Sequence, residues 1–365
     1  MNTSFAKEIL KLQSNRVRRN YRGGALLDML ETGTPGEDSF KPEDWIASTT
    51  LAINPGLPEI SNEGLAEITS IDNKIILKKL FQEEGHFYLG EKHLQTLGPE
   101  LGFLLKFLDS SMRLHVQAHP TANFAKKHFG SPYGKFEAYF IIGVRDDVQG
   151  YIRLGFQHPP TPEEWKRIVL EQDIEAMDKC FEKIPVKEGE VWIVPGGLPH
   201  ALGEGLLVIE IMEPSDLVVR CEFEREGIIV PPPARFMKKD PDFALKIFNF
   251  TGLSPEKVRE QFCLKPQILH SKEGFCEELL IGSKHTPCFE VKRIKVSKQY
   301  CRKKNRHVEI AVVTSGTGII MHNDSSFVVN RGERFLFAAA TEEITIIPDS
   351  GEEIEIVISS PNINK

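Results

Sequence analysis

Gly189–His200 reads GEVWIVPGGLPH: a turn glycine, a short apolar strand, a Pro-Gly-Gly corner, and a histidine opening the next strand. The glycines permit the tight corner, and the corner aims the imidazole back over the sheet it came from. Working outward, Arg113–Tyr139 reads RLHVQAHPTANFAKKHFGSPYGKFEAY. In an extended chain residues i and i+2 project from the same face, so Gln117 and His119 offer an amide oxygen and an imidazole to one side. Val116 and Ala118 face the other side. Glu137 opens the following strand after a connection punctuated by Pro120, Gly130, Ser131, Pro132 and Gly134, and can return a carboxylate to the same centre. Oxygen and nitrogen donors converging on one point suit a divalent metal, and His200 supplies a fourth ligand.

Composition bounds the rest. The chain has 365 residues, 41% of them hydrophobic and 27% charged, with a formal net charge of −7. No broadly basic domain is present, so a nucleic-acid partner is not expected, whereas a local basic pocket still suits a phosphorylated small molecule. Cysteines 180, 221, 263, 276, 288 and 301 form no CxxC pair, which points to reduced thiols and away from a zinc ribbon. The N-terminal stretch lacks a signal-peptide apolar core, and no apolar run is as long as a membrane span. A cytoplasmic protein is expected, with no membrane partner and a monomeric or weakly homo-oligomeric state.

Along the chain, residues 3–19 read as a helix, with Phe5, Ile9, Leu12 and Val17 on one face and Arg16, Arg18 and Arg19 at its C-terminal end. A strand-rich region begins at Glu43–Ser48, and a short helix is expected over Asp72–Leu80. Phe103–Asp109 (FLLKFLD) is an apolar strand interrupted by Lys106, which either snorkels from an edge or points into a polar pocket. Thr161 caps a helix that is expected to run from Pro162 to about Phe181. PPPARF at 231–236 marks a boundary, followed by helices at DPDFALKIFNF and after Ser254. From Phe289 onward about seven short strands alternate with turns. The expected fold class is mainly β, with helical insertions. The expected divisions are an N-terminal helix at 1–20, a metal-binding unit at 21–235 with its helical insertion near 161–181, and linker helices with a second β unit at 236–365.

The G-x5-P-x-G-x2-H spacing of Gly189–His200 resembles the second motif of the cupin β-barrels. The larger set FLLKFLD, VQAHP, GKFEAY, PGGLPHALGEGLLVIE and PSDLVVR, in that order, resembles the type I mannose-6-phosphate isomerases. The aromatic-x-GG-x-L run at Tyr21–Leu26 and E-x-W-x-x-S at Glu43–Ser48 fit the same pattern. Residues 21 to 225 carry the resemblance well and the remainder loosely. It implies two cupin-type (jelly roll) barrels and one Zn2+ ion on Gln117, His119, Glu137 and His200. It also places Lys135, Glu210 and Arg220 near the substrate, and implies interconversion of mannose 6-phosphate and fructose 6-phosphate.

The residues support such chemistry. Glu210, in VIEIM, is a carboxylate on an otherwise apolar strand, which lifts its pKa toward that of a useful base. Arg220 ends the strand LVVR, where it can stabilise an enediolate or hold a phosphate. Lys135 and Glu137 share a face, and Lys106 adds charge for an anionic substrate. The expected catalytic residues are therefore Arg220, Glu210 and Lys135. His115 stands where the family usually has serine and faces the same way as Gln117 and His119, so it joins Lys106 as a substrate-binding candidate. That departure keeps a different phosphosugar open, as well as a non-catalytic sugar-phosphate sensor. A cupin oxygenase would present more histidines to its metal. The C-terminal unit keeps a turn glycine at Gly332, but Ala338 and Glu343 replace the proline and histidine, so its expected role is structural.

Overall fold

Alternation along one strand explains how the layers stack. In Leu206–Met212, Leu207, Ile209 and Ile211 enter one apolar core, while Leu206 and Val208 enter another and Glu210 points the same way as Val208. The same split runs through Glu137–Val144, where Ala138, Phe140 and Ile142 part from Tyr139 and Ile141. A sheet buried on both faces has apolar residues at both parities, and a polar residue is then conspicuous. The computed structural model describes residues 8–69 and 74–363.

This strand is central to a seven-stranded antiparallel sheet. Its order is Cys263–Leu264, Val191–Val194, Glu137–Val144, Leu206–Met212, Leu104–Ser110, Glu43–Ile46 and Arg16–Val17. One face meets a five-stranded sheet of short strands: Ile184–Pro185, Tyr151–Leu154, His200–Leu202, Gln117–Ala118 and Val219–Arg220. The other face packs against a second seven-stranded sheet, with Leu105, Phe107, Ile209 and Phe140 meeting Phe289, Val291, Ile310 and Leu336. A four-stranded sheet covers the far side of that one, through Ile294, Phe335 and Ile356 against Ile320, Ile344 and Ile346. The protein is thus mainly β, in four stacked layers with helices at the periphery. Among the described residues no sheet closes into a barrel; strands of two to four residues in the five-stranded layer are too short to carry pairing around its edges. Among the described residues, no helix is long and apolar enough to cross a membrane.

Several expectations change. Residues 3–7 of the expected N-terminal helix lie outside the described residues, and the rest forms two strands, Ile9–Lys11 and Arg16–Val17. Ile9 and Leu10 enter opposite cores, so an apolar cluster that mimics a helical stripe belongs to a strand buried on both faces. Ile9–Lys11 pairs with Arg334–Phe337 in the C-terminal sheet. Residues 72–73 of the helix expected at Asp72–Leu80 lie outside the described residues; Lys74–Ile76 is a strand, and the helix runs from Leu77 to Tyr88. The insertion near 161–181 is two helices, Pro162–Glu171 and Ile174–Lys179, because Gln172 takes a left-handed conformation at φ 55°. Thr161 does cap the first, in a reciprocal box with Glu164. The hairpin Gln267–Lys272 and Phe275–Ile281 precedes the strands expected from Phe289 onward.

Candidate metal centre and active site

The corner at 195–198 is built against the turn that carries His119. The Gly197 amide donates to the His119 carbonyl at 2.7 Å, and a Cβ on Gly196 would come within 2.7 Å of the Pro120 carbonyl oxygen. His200 then pairs with Gln117 across the five-stranded sheet. Only Gln117 and Ala118 of the extended stretch are in regular strand pairing, yet the alternation holds. Val116 and Ala118 pack into a core with Trp165 and Met177, leaving Gln117 and His119 facing inward.

Glu137 arrives from the facing sheet. His119 Nε2 lies 3.1 Å from Glu137 Oε1 and His200 Nε2 lies 3.5 Å from Glu137 Oε2. Both imidazoles are anchored from behind. His119 Nδ1 is 3.0 Å from the Leu217 carbonyl and His200 Nδ1 is 2.9 Å from the Leu198 carbonyl. A carbonyl can only accept, so each Nδ1 carries the proton and each Nε2 turns a lone pair inward, the arrangement of a metal-bound histidine. Burial, reinforced by the positive charge of Lys135, drives His119 down to about 3, so it is neutral at physiological pH. The ligand atoms of these three buried residues lie within 4.8 Å of one another. The Gln117 amide nitrogen is 3.5 Å from His200 Nε2, and turning the amide over would present its oxygen to the same point. The donor set fits a divalent cation.

Charge is arranged in a row across the seven-stranded sheet. Trp45, Lys106, Glu210 and Tyr139 are register partners on adjacent strands. Lys106 Nζ is 3.1 Å from Glu210 Oε2 and 3.3 Å from Glu43 Oε1, so the lysine points into a polar pocket rather than snorkelling. Burial lifts Glu210 to about 7, against the pull of Lys106 and with the push of Glu137. Burial would also raise Glu43, but Arg19 and Lys106 outweigh it and hold that carboxyl at about 2. Glu137 is held well below the carboxylate range, since Lys135 at 2.9 Å and the histidines overcome its burial. Tyr139 donates to Glu137 Oε2 at 2.6 Å.

One cleft is lined by Lys106, His115, Gln117, Lys135, Glu137, His200, Glu210 and Arg220, with His119 bonded into its wall. All nine residues singled out in the sequence thus come together. No family model matches the chain. Over 250 residues, 68% of this chain and 73% of the relative, it is 29% identical to a probable mannose-6-phosphate isomerase, GmuF, of Bacillus subtilis. Over 124 residues, 34% of this chain and 37% of the relative, it is 33% identical to the mannose-6-phosphate isomerase of Streptococcus mutans. A crystal structure of the mannose 6-phosphate isomerase of Bacillus subtilis superposes with a TM-score of 0.73 at 19% identity, covering 97% of this chain and 99% of that one. The zinc-bound form of a mannose 6-phosphate isomerase superposes at 0.69 and 14% identity, covering 97% of this chain and 100% of that one.

The chain is a relative of the mannose-6-phosphate isomerases. The fold of those aldose–ketose isomerases extends over almost all of it, and fits the cupin-type fold expected from the Pro-Gly-Gly corner.

Residues not assigned to the site from the sequence also line the isomerase-like cleft: Arg19, Asn20, Tyr21, Glu43, Tyr139 and Asp216. Arg19 belongs to the basic cluster expected at a helix C-terminus, but each arginine of the trio has a separate task. Arg16 bonds Asp28, Arg18 grips Glu63 in a two-pronged pair, and Arg19 turns into the cleft. Tyr21 and Glu43 sat within the two N-terminal motifs, and that was the signal available for them. Tyr21 donates to Glu43, which also accepts from Trp45 Nε1 at 2.7 Å.

Proposed function

We propose that this protein is a zinc-dependent isomerase that interconverts mannose 6-phosphate and fructose 6-phosphate through an enediol. One ion would be held by Gln117, His119, Glu137 and His200. The observation that carries the reading is a buried carboxylate, Glu210, poised near neutrality in the same cleft as a preoriented Gln/His/Glu/His set. The names of the relatives favour this sugar phosphate. In the same reading, the two pairs of facing sheets are two cupin-type units, at about 21–235 and 236–365, with Arg16–Val17 and Cys263–Leu264 added to the first and Ile9–Lys11 to the second.

When bound, zinc would supply Lewis acidity toward a sugar oxygen without redox chemistry of its own. Glu210 takes the proton from C2 of the open-chain aldose and returns it to C1, while a hydroxyl proton passes from O2 to O1. A carboxylate near pKa 7 is suited to both halves, because it accepts and releases a proton at little cost. Lys106 holds its geometry. Lys135 sits 2.9 Å from Glu137 and 3.4 Å from His119 Nε2, where its ammonium can donate to the developing enediolate. Arg220 and His115 face the remainder of the sugar phosphate.

Two variants separate these roles. His200→Ala is expected to lose bound metal and activity together. Glu210→Gln is expected to retain metal, by elemental analysis, while kcat falls by about 100-fold or more. Normal turnover by Glu210→Gln would remove the base assignment.

A further inference from the structure

At the start of three strands of the central sheet the same pairing recurs: a glutamate, and two residues later an aromatic side chain that donates to it. Glu43 accepts from Trp45 Nε1 at 2.7 Å on Oε2, and Lys106 stands 3.3 Å from its Oε1. Glu190 accepts from Trp192 Nε1 at 3.0 Å on Oε2 and from Arg259 at 2.7 Å on Oε1. Glu137 accepts from the Tyr139 hydroxyl at 2.6 Å on Oε2, and Lys135 lies 2.9 Å from its Oε1. Residues two apart in an extended chain share a face, so each pair meets without help from elsewhere in the fold. Of the three carboxylates, Glu137 is the one faced by two imidazoles, with His119 Nε2 at 3.1 Å from Oε1 and His200 Nε2 at 3.5 Å from Oε2. The terminal torsion of a glutamate is soft, so a carboxylate with one oxygen released turns readily. Lys135 is not a permanent stay, because its ammonium is the group that turns to the substrate in the proposed reaction. Tyr139 is 4% exposed and sits in a row between Glu210 and Trp192, its partners on the adjoining strands, which fixes the ring and keeps its hydroxyl on Glu137.

We propose that Tyr139 is a positioning residue for the metal: its hydroxyl fixes the rotation of the Glu137 carboxylate, so that the ligand oxygens keep their aim between His119 and His200 when Lys135 moves to the substrate. The short hydrogen bond between an uncharged phenol and a buried carboxylate is of the charge-assisted, stronger kind. The proposal rests on the metal reading above, but not on the identity of the sugar.

The test titrates zinc into metal-free wild type, Tyr139→Phe and Tyr139→Trp in competition with a chromophoric chelator, alongside steady-state kinetics at saturating zinc. Tyr139→Phe keeps the ring and loses the donor, and zinc should bind about 10-fold or more weakly. Its kcat for mannose 6-phosphate should fall by about 5-fold or more with KM within about 3-fold of wild type, because the phenol acts through Glu137 and not on the sugar. Trp45 and Trp192 hold their glutamates through an indole N–H from the same position, so Tyr139→Trp should bring zinc affinity back to within about 3-fold of wild type. Zinc affinity in Tyr139→Phe within about 2-fold of wild type would overturn the proposal even if that variant were less stable, since packing alone would then account for the residue. Equal loss in the Phe and Trp variants would overturn it as well, by separating the effect from the donor. If Tyr139→Phe fails to fold, Tyr139→Trp carries the test: affinity within about 3-fold of wild type supports the proposal, and a loss of about 10-fold or more overturns it. A wild type without zinc affinity would remove both the metal reading and the proposal. A wild type that binds zinc but leaves mannose 6-phosphate unchanged would remove the isomerase reading alone, and weaker zinc binding by Tyr139→Phe would still support the positioning role.

Discussion

Lys106 shows how much one side chain can set. It lies between Glu43 and Glu210 on the inner face of the sheet, and its charge opposes the burial that lifts Glu210 to about 7. Removing that charge leaves burial and Glu137 opposed only by the more weakly acting Lys135, so the Glu210 pKa must rise. Lys106→Met is therefore expected to move the acid limb of the kcat/KM profile to higher pH, because the base then stays protonated further up the scale. An acid limb that stays in place or moves down would separate Lys106 from Glu210. In the sequence the lysine was visible as a break in an apolar strand, but its direction was not. That choice depends on which register the neighbouring strands adopt, and Glu43 lies 63 residues away.

At the scale of elements, the corner at 195–198 couples the two histidines. The Gly197 amide is spent on the His119 carbonyl, and Gly196 leaves no room for a side chain against Pro120. Gly196→Ala must push the two turns apart, and with them the Nε2 atoms that face Glu137. Zinc affinity should fall by about 10-fold or more, with a stability loss of about 1–3 kcal/mol; unchanged zinc affinity in competition with a chelator would show the corner to be tolerant. This is where the sequence was most legible. The glycines, the proline and the histidine have a spacing that fixes a local shape, and local shape is enough to aim an imidazole. The N-terminal stretch was least legible for the opposite reason. Ile9, Leu12 and Val17 fit a helical stripe by spacing, but they enter three separate cores and the strand of Ile9 pairs with Arg334–Phe337, none of which local pattern can report. Arg19 was lost with it, since a residue assigned to a helix end is not sought in a cleft.

Over the whole molecule, the two seven-stranded sheets share one apolar core, and the N-terminal strand ties the far end of the chain to the half that carries the candidate metal centre. The C-terminal half, expected to be metal-free, packs against the sheet that carries Glu137 and Glu210. Its interior holds Arg302 on Glu309 at 2.7 and 3.1 Å, a two-pronged ion pair that fills buried polar space. The resemblance of short motifs and the names of the sequence relatives point to the same chemistry, and that agreement is testable at once. The most direct measurement is a coupled assay of mannose 6-phosphate conversion to fructose 6-phosphate by zinc-loaded protein, repeated after chelation and after zinc is restored. Turnover that chelator abolishes and zinc recovers is the predicted result. Zinc-loaded, folded protein that leaves mannose 6-phosphate unchanged would contradict the account.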